Sequence, residues 1–209
     1  MPRLDTQLAI LARHAIDLTR AGEIVRSGAS PGSVPWNEWR VSRLEDLYEL
    51  AYLRVFIAWE LFLESTFFRY LCGYRSRHGM ATPVTGSYYP TVQSAETAVL
   101  AGNQYLLWHN PNKVVARCRS HMTLCFHELV FVSNLARLQC FADVRHRIAH
   151  GQKDAKNKFD TATMQLSGQR YLGAKAGRFL RDWSPGTSPR VRWIHSITQE
   201  LIGLAGQIV

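Results

Sequence analysis

The sequence predicts an all-α helical bundle, and three observations support this fold class. Apolar residues recur at steps of three and four along most of the chain, which is the spacing of one face of an α-helix. No segment alternates apolar and polar residues at period two, as a half-buried β-strand does. Hydrophobic residues make up 46% of the 209 residues, enough to build a sizeable core.

The first third of the chain predicts two helices separated by a connection. The first helix is expected over about residues 3–26, where leucines and alanines recur on one face. Residues 27–35 contain glycines and prolines and predict the connection. A second, long helix is expected over about 37–73. We therefore predict an N-terminal helix and linker over 1–35, followed by a helical bundle over 36–209 that forms one compact domain with it.

The middle of the chain predicts a loop and several further helices. Proline suits the first turn of a helix, where its missing N–H leaves no gap in the hydrogen bonding. Residues 126–132 are consistent with either a helix or a short extended piece. The expected elements are a loop over 75–90, a short helix over 92–101, a helix starting at Pro111, and a helix that follows Ser133 or Asn134 and ends at Gly151.

The C-terminal quarter predicts two more helices. Asp160 is expected to cap a helix that continues to about Trp183. Ser188 is expected to cap the final helix, with Pro189 at its first position.

The charge balance favours an anionic partner. Lysine and arginine total 25 against 16 acidic residues, a formal net charge of +9. Nucleic acid is the first candidate for a protein with such a surplus. The four cysteines, at 72, 118, 125 and 140, form no Cys-x-x-Cys pair, so we expect reduced thiols and a cytoplasmic protein. The N-terminal segment lacks an apolar signal core, and no apolar stretch approaches the length of a membrane span, so no membrane association is expected.

The segment from Asp143 to Gly151 concentrates two histidines and two arginines at the end of a predicted helix. On a continuous helix, Arg145 and His150 would point about 140° apart. The two side chains converge only if the helix ends near His150, so that Arg145 can reach forward. Gly151 is the residue expected just past such an end, since glycine readily adopts the left-handed backbone conformation.

This pairing of side chains suggests cleavage of RNA without a metal ion. A neutral imidazole, His150, takes the proton of a 2′-hydroxyl that attacks the adjacent phosphorus, and the Arg145 guanidinium neutralises the charge that develops. The leaving 5′-oxygen needs a proton donor, either His146 or a second His150 across a two-fold axis. DNA lacks the 2′-hydroxyl and would not be cut in this way.

The same residues resemble a known family. Residues 145–151, Arg-His-Arg-Ile-Ala-His-Gly, resemble the Arg-x(4–6)-His signature of HEPN domains, with His146 in the polar position after the arginine. Residues 58–64 resemble the Trp-Glu segment of the RiboL-PSP-HEPN group. Residues 179–183 and 192–194 resemble the C-terminal pattern of that group.

The resemblance covers about residues 40–208 and implies a helical bundle that dimerises. It implies a metal-independent endoribonuclease without a cofactor, in which Arg145 and His150 lie at the dimer cleft and His146 assists. Such proteins often act in toxin–antitoxin systems or in antiphage (antiviral) defence. The expected partners are therefore RNA, a second copy of the chain, and a cognate antitoxin or regulatory protein.

Four other residues are candidates for binding or supporting roles. Arg147 is expected either to contact a substrate phosphate or to form only a surface ion pair. Arg75 and Arg77, near the end of the long helix, belong to a basic cluster that either follows RNA phosphates or is a solvated helix end. Glu60 lies in an apolar helix, and either it orients the arginine–histidine pair or it faces water.

Two other functions stay open on the sequence. The first alternative is a non-catalytic helical module that binds RNA or a partner protein. The second is a metal-dependent enzyme built on Cys118, His121 and Cys125, which share one predicted helical face.

Overall fold

A computed structural model describes residues 3–209, and these form ten α-helices and no β-strand. The predicted all-α fold class is thus confirmed. The described residues form two isolated antiparallel β-bridges, Val84 with Met122 and Trp183 with Arg192. The helices are α1 Leu4–Gly28, α2 Val34–Glu38, α3 Val41–Leu71, α4 Val92–Leu100, α5 Pro111–His121, α6 Phe126–Ser133, α7 Leu135–Ala149, α8 Lys153–Ser167, α9 Ala176–Arg181 and α10 Trp193–Ile208. None of these helices has both the length and the apolar character needed to cross a membrane.

The chain divides into two compact units, each assembled from separate stretches of sequence. Unit 1 comprises Met1–Leu8, Trp59–Gln139 and Leu201–Val209. Unit 2 comprises Ala9–Ala58 and Cys140–Glu200. The predicted division of the chain at residue 35 stays a prediction.

Aromatic rings fill the core of unit 1. Trp59 stacks on Phe131 with ring centroids 6.1 Å apart. Phe67 meets the edge of Trp108 at 5.3 Å. The indole N–H of Trp108 donates to Glu64 Oε1 at 3.0 Å, so the one polar atom of that buried ring is satisfied. Large buried rings of this kind supply most of the apolar area that stabilises a small core.

Unit 2 is built around the first part of α3. Tyr52 is fully buried there, and its hydroxyl donates to the carbonyl oxygen of Phe141 in α7 at 2.9 Å. Gly177 in α9 lies so close to α3 that a Cβ atom at this position would meet the carbonyl oxygen of Glu45 at 2.0 Å. Only glycine permits this approach, so Gly177 determines how closely α9 packs on α3.

The predicted helix over 37–73 is wrong at its start, where α2 forms a separate short helix. Arg26 Nη1 donates to the carbonyl oxygen of Trp36 at 3.2 Å and to that of Trp39 at 2.8 Å. These carbonyls lie at the C-terminal end of α2, so a side chain from α1 satisfies groups that a continuous helix would pair internally. The chain then starts again as α3 at Val41.

The two predicted C-terminal helices are wrong in their boundaries. Asp160 lies inside α8 rather than at its start, and α8 ends at Gly168, whose left-handed backbone (φ 74°) caps it. The Ser188–Pro189 peptide bond is cis, and α10 begins only at Trp193. The other predicted elements are confirmed to within a few residues, and the ambiguous segment 126–132 is helical.

Candidate active site

Helix α7 ends at Ala149, so His150 is the first residue beyond it. The backbone N–H of His150 still donates to the carbonyl oxygen of His146 at 2.9 Å. This hydrogen bond holds His150 close to the end of the helix. The helix end predicted near His150 is therefore confirmed. The left-handed conformation predicted for Gly151 is wrong, because Gly151 has no positive φ and Gln152 is already extended ahead of α8.

The end of α7 brings two imidazoles together. The rings of His146 and His150 lie with centroids 4.6 Å apart and planes inclined by 50°. His150 is exposed, whereas His146 is half-buried. Partial burial lowers the pKa of His146 below its ordinary value of 6.5, and the electrostatic effects of the neighbouring His150 imidazole and of Lys158 lower it further. His146 is therefore mostly neutral at pH 7.

Two charged residues of α8 complete this electrostatic setting. Lys158 Nζ lies 2.8 Å from Asp154 Oδ2, and the pair is exposed. Asp154 acts on His146 in the direction opposite to Lys158 and raises its pKa. Both residues lie ahead of Asp160, where the sequence predicted the start of this helix, and neither was a predicted site residue. The i,i+4 spacing of opposite charges was the signal that a helix begins here.

The two arginines of the motif are half-buried along the last turns of α7. Arg147 Nη1 approaches the carbonyl oxygen of His150 at 3.4 Å, a long hydrogen bond. Its Nε atom is buried and has no hydrogen-bond partner among residues 3–209. The charge of Arg147 acts on Glu49 and opposes the rise in pKa that burial causes there. Arg147 therefore carries one buried N–H donor that no described residue satisfies.

Four predicted site residues, Arg145, His146, Arg147 and His150, thus lie at one helix end in unit 2. The other three predicted residues belong to unit 1. Their roles in binding and support stay predictions. In unit 1, Arg77 Nη2 pairs with Asp5 Oδ2 at 2.6 Å, Arg75 Nη1 approaches the carbonyl oxygen of Gly79 at 3.4 Å, and Glu60 Oε2 lies 3.9 Å from His109 Nδ1.

The structure does not support a metal site built on Cys118, His121 and Cys125. Cys118 and Cys125 are buried in unit 1, and a hydrogen bond between them together with burial raises the pKa of Cys118. The imidazole beside Cys125 belongs to His127, whose Nδ1 lies 3.5 Å from the sulfur. Across residues 3–209, no three His, Cys, Asp or Glu side chains are grouped so that they could hold a metal ion. The alternative of a metal-dependent enzyme built on Cys118, His121 and Cys125 is therefore not supported.

Comparison with known proteins identifies no relative of this chain. No protein-family model, curated protein or solved structure matches it. The HEPN resemblance therefore rests on the sequence segments described above, and the family assignment stays a prediction.

Proposed function

We propose that this protein is a metal-independent endoribonuclease that cleaves RNA at the end of α7. One observation carries the proposal: two imidazoles lie 4.6 Å apart at a helix end, one exposed and one held neutral, on the same helix turns as two half-buried arginines. Such a set combines proton transfer near neutral pH with fixed positive charge. The formal net charge of +9 supports an RNA substrate.

In the proposed reaction, His150 is the general base. Its exposed imidazole takes the proton from a 2′-hydroxyl, and that oxygen bonds to the adjacent phosphorus. Arg145 stabilises the negative charge that builds on the non-bridging phosphate oxygens. The bond from phosphorus to the 5′-oxygen then breaks and leaves a 2′,3′-cyclic phosphate on one product.

The 5′-oxygen must gain a proton as it leaves. His146 is a poor source of this proton, because its lowered pKa leaves few molecules protonated at pH 7. We therefore assign His146 the role of a polar helper beside His150. The proton comes from the His150 of a second copy of the chain, across a two-fold axis that brings identical residues together.

The cellular role that we propose, in toxin–antitoxin or antiphage defence, rests on the HEPN resemblance alone. It predicts that production of the protein slows growth unless a cognate antitoxin or a regulatory protein restrains it. It also predicts that the purified protein is a homodimer, which light scattering after size-exclusion chromatography measures directly.

The central test is cleavage of a labelled single-stranded RNA by the purified full-length protein in the presence of EDTA. We expect products that end in a 2′,3′-cyclic phosphate, and no cleavage where a single deoxynucleotide replaces the nucleotide at the cut site. Arg145→Ala and His150→Ala should each abolish the products. His14→Ala is the matched control, because His14 is also an exposed histidine of unit 2 and should leave cleavage unchanged.

Two results would count against a ribonuclease. The first is RNA binding by the wild-type protein without new RNA ends, which would favour the non-catalytic module. The second is full activity in the His150→Ala protein, which would show that any cleavage comes from another site or from a contaminant.

A further inference from the structure

Unit 2 contains a cavity that the proposed reaction does not use. Its volume is about 320 Å³, within the range of about 300–1,000 Å³ typical of small-molecule pockets. Three guanidinium groups, two carboxylates and one indole surround it. The lining residues are Glu45, Arg178, Arg181, Asp182, Trp183 and Arg192.

The helix that supplies much of this lining is held firmly in place. Gly177 brings α9 into backbone contact with α3, and its N–H donates to Glu49 Oε1 at 2.9 Å. Lys175 Nζ, just before α9, pairs with Asp46 Oδ1 at 2.6 Å. Because α9 cannot shift without breaking these contacts, the cavity is preformed rather than assembled by a ligand.

A single carboxylate, Glu23, fixes two of the three guanidiniums. Arg181 donates two hydrogen bonds to Glu23, from Nε to Oε1 at 2.7 Å and from Nη2 to Oε2 at 3.2 Å. Arg192 Nη2 lies 3.3 Å from the same Oε1 atom, and Arg192 Nη1 donates to the carbonyl oxygen of Arg181. One carboxylate therefore orients two guanidinium groups. Counted with Glu23, the three arginines of the lining balance the three carboxylates, so a phosphate is recognised here by directed N–H donors rather than by a surplus of charge.

Trp183 offers a flat apolar surface beside these charges. The guanidinium carbon of Arg192 lies 4.7 Å from the centre of the indole ring system. The Trp183 side chain is nevertheless 49% exposed, although an indole usually gains from burial. An exposed indole next to a fixed guanidinium can stack against a planar base, while the cation stays within reach of the phosphate of that base.

The third guanidinium is available to a ligand. Arg178 is exposed, and its side chain makes no hydrogen bond or ion pair with any described residue. By contrast, the carboxylate of Asp182 is already occupied, because Oδ2 accepts from the Tyr171 hydroxyl at 2.6 Å and Oδ1 accepts from the Trp183 N–H at 2.8 Å. Asp182 therefore stabilises the protein structure. The Arg178 guanidinium, by contrast, has no hydrogen bond or ion pair to a described residue that an incoming anion would have to displace.

We propose that this cavity binds a nucleotide unit, with the phosphate on Arg178 and Arg192 and the base stacked on Trp183. Glu45 is then placed to accept a hydrogen bond from a sugar hydroxyl or an amino group of the base. A volume of about 320 Å³ suits one nucleotide and excludes a duplex. The ligand is either a free nucleoside monophosphate or a nucleotide at the 5′ end of RNA, and the proposal does not depend on ribonuclease activity.

The test is isothermal titration calorimetry on the full-length protein with three probes. The probes are adenosine 5′-monophosphate, inorganic phosphate, and a 5′-phosphorylated pentanucleotide of 2′-O-methyl RNA, which 2′-hydroxyl attack cannot cleave. We expect a Kd on the order of 10 µM to 1 mM for the mononucleotide, and binding of inorganic phosphate about tenfold weaker or more, because it cannot stack.

Two variants test the assignment of residues, and one variant is the control. Arg178→Ala and Trp183→Leu should each weaken nucleotide binding about tenfold, since each removes one contact and leaves the Glu23 network intact. Arg190→Ala removes a neighbouring exposed arginine that does not line the cavity, and it should leave the Kd unchanged. Thermal unfolding shows whether each variant folds like the wild type.

The results separate the two sources and can overturn the proposal. Binding of the mononucleotide and not the pentanucleotide identifies a free nucleotide as the ligand, and the reverse identifies an RNA end. Phosphate that binds as tightly as the nucleotide overturns the role of Trp183. Absence of binding by all three probes at several millimolar, or an unchanged Kd in both folded variants, overturns the site itself.

Discussion

Each of the two units contains a group of side chains around histidine, which we call its histidine cluster. The two clusters differ in burial and in hydrogen-bonding partners. In unit 1, His127 is 0% exposed, and both of its ring nitrogens have partners: Thr66 Oγ1 at 2.7 Å from Nε2 and Cys125 Sγ at 3.5 Å from Nδ1. In unit 2, His146 and His150 contact each other at a helix end that is open to solvent. The first cluster belongs to the core, and the second is accessible to a ligand.

Burial and fixed partners decide this difference, because the side-chain chemistry is the same. The imidazole of His127 is bonded at both ring nitrogens and buried, so it is held in one position and closed to ligands. The imidazole of His150 is exposed, so a ligand can reach its ring. The contrast leads to four predictions, in order of decreasing expected effect.

The largest expected effect is on catalysis at the exposed cluster. Replacement of His150 by glutamine should reduce the rate of RNA cleavage by about 10²–10⁴-fold, the usual contribution of a general base. The free energy of unfolding should change by less than about 0.5 kcal/mol, because the side chain is exposed. Single-turnover cleavage rates and urea denaturation measure the two quantities. A large loss of stability in this variant would place His150 in the core and remove the contrast.

The second prediction concerns the buried cluster. His127→Ala should lower the free energy of unfolding by about 2–4 kcal/mol, because it opens a cavity and removes one of the partners of the buried Thr66 hydroxyl, which otherwise bonds only carbonyl oxygens of its own helix. Urea denaturation measures the loss. Thr66→Val is the matched variant with a smaller expected cost, since it keeps the volume and removes one side of the same hydrogen bond. Equal stability of the His127→Ala and wild-type proteins would contradict a structural role.

The third prediction concerns acid stability in unit 2. Burial opposes ionisation of Glu23, but the hydrogen bonds and charges of Arg181, followed by the charge of Arg192, outweigh it and lower the pKa below the ordinary value of 4.5. A carboxyl whose pKa is lower in the folded state stabilises the protein above its unfolded pKa and loses that contribution as the pH falls through its folded pKa.

Glu23→Gln should therefore cost about 1–3 kcal/mol at pH 7, the value of hydrogen bonds to a charged group, and much less below pH 3. Urea denaturation from pH 7 to pH 2.5 measures the dependence. Glu38→Gln is a matched control, because Glu38 forms only an exposed ion pair with Arg43, and its replacement should change the free energy of unfolding at pH 7 by less than about 1 kcal/mol. Parallel pH profiles for Glu23→Gln and the wild type would show that Glu23 is not the linked group.

The smallest expected effect is a change in the titration of His146. Asp154→Asn removes a negative charge that raises the pKa of His146, so this pKa should fall. Lys158→Ala removes a positive charge and should raise the pKa. The proton signals of the ring, followed by NMR against pH, report both shifts. Shifts of the His146 pKa in the same direction in the two variants would contradict the opposite effects of Asp154 and Lys158.

Local patterns in the sequence were sufficient to predict much of the helical content and the end of α7. Helix α5 starts at Pro111 as expected, because the fixed φ of proline acts within one turn, and the structure adds the side chain of Asn110 as its cap. The resemblance-based site at Arg145, His146 and His150 likewise lies within six residues on one helix end. Short-range signals suffice for the helix end because the groups involved are neighbours in the chain, and the role of these residues stays a prediction.

Contacts between residues that are far apart in the chain could not be predicted from local sequence patterns. The break between α2 and α3 depends on Arg26, and the cavity depends on Gly177 meeting the backbone of Glu45. No local pattern marks either contact. His127 was missed for the same reason, since nothing near it in the chain predicts a hydrogen bond to Thr66.

The amino-acid sequence by itself determined that this protein is helical, that it is basic, and that a cluster of arginine and histidine ends a helix. Only the tertiary structure decided which histidine is buried and which is open, and which arginines line a common cavity. The physical reason is that periodicity and capping act over a few residues, whereas burial and electrostatic setting depend on groups brought together from distant parts of the chain.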